Sequence, residues 1–335
     1  MENVHIVIPD LFLPSQLATY AGGDLRLPAL EKMLARAQVS TLDIDTPEAW
    51  LCNAFSVDAI APLTLQADGV QPGDAYWLRA DPVGISMQRD QMVLQGNLEI
   101  SEAEAAQLCA SLNTHFAADG LRFAAPHPQR WYLQLAQQPD INTHPLSKVV
   151  GANMHAHLPF GSAALHWHSV LNEIQMLFYE HAVNEARALC GKPAINAVWL
   201  WGGGKYKTAM SQSFSIAAGE SDLAVAFAQA AGIPFAPGFS AIPVTSWDEE
   251  GDLLLVYESL RVALQKADIG QWRSAVQLFE TNYAAPLLAQ LAAGRINKIT
   301  LDVLSENASL SFVLSRAALR KFWLFPKPLL HYALA

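Results

Sequence analysis

Two rhythms of apolar and polar positions run along the chain. Short apolar runs recur at Val4-His5-Ile6-Val7-Ile8, Ala197-Val198-Trp199-Leu200-Trp201, Asp252 to Tyr257 and Lys298 to Val303. Each has the length and composition of a strand buried on both faces of a parallel sheet. Other stretches repeat apolar residues every three or four positions, the spacing of a helix with one buried face. Residues 27–37 do so behind Pro28, which sits at an early helical position. Pro47 to Phe55, Ser221 to Gly232 and Asp268 to about Leu291 read the same way, the last interrupted near Pro286. Ser101-Glu102-Ala103-Glu104 has the S-x-x-E pattern that closes a helix N-terminus, and that helix runs to about Phe116. Strands predicted at 75–82, 92–100, 121–123 and 130–135 surround it, so residues 75–150 read as a small α+β unit.

The longest helical stretch begins at His166 and stops at Gly191-Lys192-Pro193. At about 100° per residue, Glu173, Glu180, Asn184 and Arg187 form one polar stripe roughly 60° wide. The stripe either lines a cleft or is a solvated face. The strand that follows ends in Gly202-Gly203-Gly204-Lys205, at the kind of sheet end where α/β proteins keep their sites. Those glycines permit positive φ and close backbone approach, and could present amides to an anion beside Lys205 and Lys207. A tight strand exit is the alternative. Asp10 ends the first strand, in a favoured place for a metal ligand, or else caps the next turn. Arg79 and Asp81 stand at a strand end before Pro82, as ligand groups or as an ion pair bracing a turn.

Composition narrows the function classes. With 335 residues, 52% hydrophobic and 16% charged, the chain can bury a large core and suggests about two domains. A net charge of -10 without a basic cluster gives nucleic-acid binding no electrostatic support. Cys52, Cys109 and Cys190 lie outside any CxxC, which argues against a disulfide framework and for a reducing, cytoplasmic setting. No apolar run reaches the roughly 18 residues of a membrane span, and the N-terminus does not read as a signal peptide. His155, His157, His166 and His168 form HAH and HWH pairs, which suit a metal or stand as solvated loop histidines. P-loop, GxSxG, HExxH and Ser/His/Asp patterns are missing from the sequence.

The run HAVNEARALCGKPAINAVWLWGGGK, residues 181–205, resembles the matching run of archaeal-type cofactor-independent phosphoglycerate mutases, in the alkaline-phosphatase-like superfamily. His181, Asn184, Arg187, Gly191, Pro193, Ala194 and Asn196 carry the likeness, with one residue inserted. Through YWLRADPV and RWYLQL the whole chain looks still closer to the bacterial RpfE-type regulatory proteins. The resemblance implies an alkaline-phosphatase-like α/β core, its mostly parallel sheet covered by helices on both faces. The core would comprise residues 1–74 and 195–335, and a smaller α+β cap, residues 75–194, would interrupt it and hold the 168–190 helix.

It also implies two divalent metals (Mn or Zn) and a serine nucleophile. Asp10 matches the first ligand, Ser56 lies roughly at the nucleophile, and Asp302 stands where an Asp-His pair is expected. The later ligand stretch, Tyr257 to Leu264, contains no His. The expectation is therefore a metal-site-deficient relative, leaning away from enzyme activity and requiring no cofactor. It would bind a small anionic or phosphorylated metabolite through Glu173, Asn184, Arg187, Gly202, Gly203, Gly204, Lys205, Arg79 and Asp81. Two alternatives stand beside it: an active metal-dependent phosphomutase recruiting the 155–168 histidines, and a scaffold using the apolar Phe322-Trp323-Leu324-Phe325.

Overall fold

The computed structural model describes residues 2–18, 20–21, 24–88, 91–96, 98–207, 214–238, 251–305 and 308–332. The chain forms two compact units: residues 1–56 with 210–335, and residues 57–209.

The first unit is built on a seven-stranded sheet. Its strands are β1 (Asn3–Pro9), β2 (Gln38–Leu42), β8 (Phe214–Gly219), β9 (Phe235–Ala236), β10 (Asp252–Val256), β11 (Lys298–Leu304) and β12 (Ser309–Ser315). The spatial order is β2-β12-β11-β1-β10-β8-β9. β1 pairs in parallel with β10 and β11, β10 with β8, and β8 with β9. At one edge β12 is reversed, pairing antiparallel with both β11 and β2, so β2 runs in the common direction.

Alternation along β1 explains the layers. Val4, Ile6 and Ile8 join a core with the helices Pro28–Arg36, Ser259–Gln265, Ile269–Phe279 and Ala285–Ala293. His5 points to the other face, against Trp50 of the helix Pro47–Phe55. Phe55 of that helix meets Phe227 of the helix Asp222–Ala231. The expected α/β core, with a mostly parallel sheet and helices on both faces, is therefore present. The interruption expected near Pro286 is a π-turn over Glu280–Ala284, in an otherwise continuous helical run. Proline removes one i→i−4 bond, and a wider turn absorbs the misfit. Glu280 is turned to use there: its carboxylate accepts the Ala29 and Leu30 amides (2.7 and 2.9 Å) at the start of the Pro28–Arg36 helix.

The second unit holds an antiparallel sheet of β3 (Tyr76–Gln88), β4 (Gln91–Gln95), β5 (Arg122–His127), β6 (Arg130–Leu135) and β7 (Ala197–Lys205). One face packs on the helices Glu102–His115 and Ala164–Tyr179, and the other on Ala61–Ala67. The predicted S-x-x-E cap forms in full: Ser101 Oγ accepts the Glu104 amide and the Glu104 carboxylate accepts the Ser101 amide. Two expectations are corrected. Residues 57–74 and 195–209 were placed with the core, but β7 pairs along most of β3, so the strand and its triple glycine belong to the second unit. β3 also continues past Pro82 to Gln88, because β7 pairs with it as far as Val83 and β4 pairs with Gly84 to Gln88.

Candidate functional site

Parallel strands direct their C-terminal ends to one edge of a sheet, and ligands of α/β proteins sit there. At that edge of the first unit, β1 delivers Asp10, β10 delivers Glu258 and Arg261, and β8 delivers Ser221 and Asp222. Glu48, buried on the Pro47–Phe55 helix, joins them electrostatically.

Asp10 is not free to act as an open ligand. Its Oδ2 accepts a 2.8 Å hydrogen bond from Arg261 Nε, within an ion pair whose arginine side chain is only 9% exposed. Trp272 Nε1 donates to the Asp10 carbonyl (3.0 Å), so the loop is pinned from both sides. The same guanidinium interacts with Glu48 and Glu258. One of its nitrogens, Nη1, is buried and has no hydrogen-bond partner among the described residues. Burial pushes the Glu258 carboxyl up to about 6, with Glu48 and Asp222 adding to the rise and Ser221 and Arg261 restraining it. Ser221 also caps the Asp222–Ala231 helix by accepting the Ala224 amide (3.2 Å).

Asp302 lies on β11, on the sheet face that carries His5. Its Oδ2 meets His5 Nε2 at 2.7 Å and accepts from Trp50 Nε1 at 2.8 Å. Burial opposes its charge, but His5, Ser311 and Trp50 together hold the carboxyl below its ordinary range. Asp10 and Asp302 are thus each committed to an organic partner. Among the described residues no group of three or more His, Cys, Asp or Glu side chains is placed to hold a metal ion. Among the described residues, the donors do not fit the two-metal centre that the resemblance implies. Ser56, at the position proposed for a nucleophile, is an exposed residue ending the Pro47–Phe55 helix in the left-handed conformation (φ 54°).

The expected anion-binding residues are in the second unit, where the structure turns most of them into scaffolding. The polar stripe does not exist. The helix stops at Tyr179 and a new one, Ala182–Leu189, begins after His181, whose ring accepts the Val183 amide. Angles counted at 100° per residue do not carry across that break. Glu173 stays exposed beside His115, and Glu180 is the exposed residue that ends the first helix.

Asn184 is buried and closes the connection between helix and strand. It donates to the Phe178 and Ile195 carbonyls (2.7 and 2.8 Å) and accepts the Ile195 amide (2.9 Å). Arg187 is 2% exposed and binds the Pro193 and Glu99 carbonyls and the Glu104 carboxylate at 2.7–2.9 Å. Arg79 and Asp81 form a buried ion pair (2.7 Å), with Trp201 Nε1 on the other carboxylate oxygen. The Arg79 guanidinium lies over the Tyr132 and Trp201 rings at 5.3 and 5.2 Å.

Gly202, Gly203 and Gly204 lie inside β7, not in a turn. They allow close approach: a Cβ on Gly204 would stand 2.2 Å from that of Ala59, and one on Gly203 2.5 Å from Tyr76 Oη. Lys205 is exposed, and Lys207 is paired with Asp58. The four histidines divide: His155 Nε2 lies 3.2 Å from Met92 Sδ, His168 Nε2 lies 2.8 Å from the Pro159 carbonyl, and neither pair forms a cluster with acids. Phe322, Trp323 and Phe325 are exposed. No helix among the described residues is long and apolar enough to cross a membrane.

Residues that matter at the sheet edge but escaped the sequence patterns are His5, Glu48, Trp50, Glu258 and Arg261. The available signal was positional: Tyr257-Glu258-Ser259-Leu260-Arg261 directly follows the buried strand Asp252–Val256.

Neither a family profile nor a curated protein matches this sequence. Several solved structures are similar in fold, and two serve as examples. One is the cofactor-independent phosphoglycerate mutase from Thermoplasma acidophilum DSM 1728, at TM-score 0.46 and 11% identity, covering 99% of this chain and 94% of that one. The other is the PH0037 protein from Pyrococcus horikoshii, at TM-score 0.50 and 10% identity, covering 94% and 87%. At such identity the second likeness speaks to the fold alone.

Proposed function

We propose that this chain is a binding or regulatory protein on a phosphomutase-like α/β core, and not a working metal-dependent phosphomutase. The Asp10–Arg261 ion pair carries this reading. A guanidinium fixed on the first ligand position supplies one positive charge where a pair of dications would bring four. Glu258, its pKa raised chiefly by burial and further by Glu48 and Asp222, gains only partial relief from that guanidinium. Backbone strain supports a catalytic ancestry. Asp10 and Ser56, which the resemblance marks as ligand and nucleophile, are two of the three non-glycine residues with positive φ among the described residues. Such conformations cost about 1–2 kcal/mol each and collect at functional sites.

The ligand class remains a small anion or phosphorylated metabolite, with Arg261 Nη1 as its contact in place of Arg187 and the glycine amides. Glu48, Glu258 and Asp222 repel it at neutral pH, so binding strengthens as Glu258 protonates below pH about 6. Metal analysis of the purified protein, turnover with 3-phosphoglycerate in added Mn or Zn, and calorimetric titration with inorganic phosphate test this. The expected result is substoichiometric metal, no turnover, and phosphate binding that Arg261→Met abolishes. Two equivalents of metal with turnover would overturn the non-enzyme reading. Phosphate binding unchanged by Arg261→Met would overturn the proposed contact.

A further inference from the structure

The second unit contains a cavity of about 190 Å³ between the sheet, the Ala164–Tyr179 helix and the Met154–His157 turn. Val83, Leu94, Met154, Leu158, Leu171 and Trp199 make it apolar. Trp199 has its indole N–H spent on the His144 carbonyl (2.9 Å), so it offers the cavity carbon surface and no free donor. The remaining lining includes His155, His168, Asn172 and Gln175. No Asp, Glu, Lys or Arg lines it among the described residues. Asn172, exposed, and Gln175, half-buried, lie three residues apart on one helix at the cavity's border, and neither amide makes a side-chain hydrogen bond among the described residues.

We propose that this cavity binds a neutral, single-ring aromatic molecule carrying one hydroxyl or amide group. Volume sets the size: an apolar cavity of about 150 Å³ takes a benzene, so this one takes a ring with a small substituent. The uncharged lining sets the charge, because an ion would lose its hydration with no countercharge to meet it. Met92, Met154 and Trp199 favour an aromatic ring through sulfur–aromatic and edge-to-face contacts. The Asn172 and Gln175 amides, on the solvent-accessible border of the cavity, supply a donor and an acceptor, the arrangement that orients a ligand in an apolar pocket. The HAH and HWH pairs then have a division of labour. His155 and His168 border the cavity, while His157 and His166 do not.

The test uses the full chain and p-cresol, followed by ligand-observed NMR and calorimetry. Wild type is expected to bind one equivalent, and 4-methylbenzoate at pH 8 is expected to bind at least about tenfold more weakly. Leu171→Trp, which fills the cavity, abolishes binding of p-cresol. Gln175→Leu weakens p-cresol about tenfold while leaving toluene binding intact. Retained toluene binding certifies the folded cavity in that variant. Failure of wild type to bind p-cresol at millimolar concentration overturns the proposal. So does equal binding of 4-methylbenzoate, or equal loss of toluene and p-cresol in Gln175→Leu.

Discussion

Replacing Glu258 with glutamine should stabilise the protein, and only above a defined pH. In the folded state the carboxyl is pushed up from its usual 4.5 to about 6, chiefly by burial. A folded-state pKa above the unfolded one means that the folded protein binds the proton more tightly. The contribution is therefore fully present below pH about 4.5 and is lost as the pH rises through about 6. By pH 8 the folded protein carries a poorly solvated charge that costs about 2 kcal/mol, at 1.36 kcal/mol per pKa unit. Glutamine has the shape of the protonated acid and removes this cost. Urea unfolding of wild type and Glu258→Gln, followed by tryptophan fluorescence from pH 4 to 8, reads the difference directly. The variant should match wild type near pH 4 and gain about 2 kcal/mol at pH 8, equivalent to roughly 4–8 °C for a unit of this size. The change should fall between pH 4.5 and 6.5. A pH-independent difference, or a loss of stability at pH 8, would refute the charge-cluster reasoning, because Glu258 would then be held by favourable interactions as a carboxylate.

Other perturbations follow from the same geometry. Arg261→Met removes the guanidinium paired with Asp10 and should destabilise by about 2–4 kcal/mol at pH 7.5, and by less at pH 5. Combined with Glu258→Gln it should cost less than the sum of the two single effects, measured as a double-mutant cycle. Asp81→Leu strands the Arg79 guanidinium inside the second unit, and a loss of about 3–5 kcal/mol is expected in chemical denaturation. Gly204→Ala forces a Cβ into Ala59 and should cost about 1–3 kcal/mol by overpacking, with no effect on phosphate binding. Ser101→Ala removes a helix cap that faces solvent and should cost about 1 kcal/mol in the same measurement.

The parts of this fold that were legible in sequence are those set by local periodicity. The strands β1, β10 and β11 announce themselves because both their faces are buried, and an unbroken apolar run can hardly be anything else in a chain of this size. The Glu102–His115 helix was legible from Ser101 and Glu104, three residues apart. The polar stripe is broken because Glu180 ends one helix and His181 caps the next, an interruption that no periodicity marks. The triple glycine was misread for a related reason. Glycine in a strand and glycine in a turn look alike until the neighbouring Ala59 and Tyr76 are known.

Charged residues proved hardest, and the reason is physical. A chain with 52% hydrophobic and 16% charged residues has few ionic groups to spare, and those drawn inside must be paired. Arginine suits that task better than lysine, since its flat guanidinium meets carboxylates and carbonyls along several donors and stacks on aromatic rings. Arg79, Arg187 and Arg261 are all buried, whereas Lys205 is exposed. An arginine therefore signals anion binding here only where it keeps an unspent donor. Arg79 finds Asp81 two residues away, which the sequence displays openly. Arg187 finds Glu104 eighty-three residues away and Arg261 finds Asp10 at a separation of 251, pairings that no local pattern encodes. Arg187 Nη2 and Arg261 Nη1 are both buried without a hydrogen-bond partner among the described residues, but of the two it is Arg261 that stands at the carboxyl edge of the parallel sheet, which is why the proposed ligand contact moves to it.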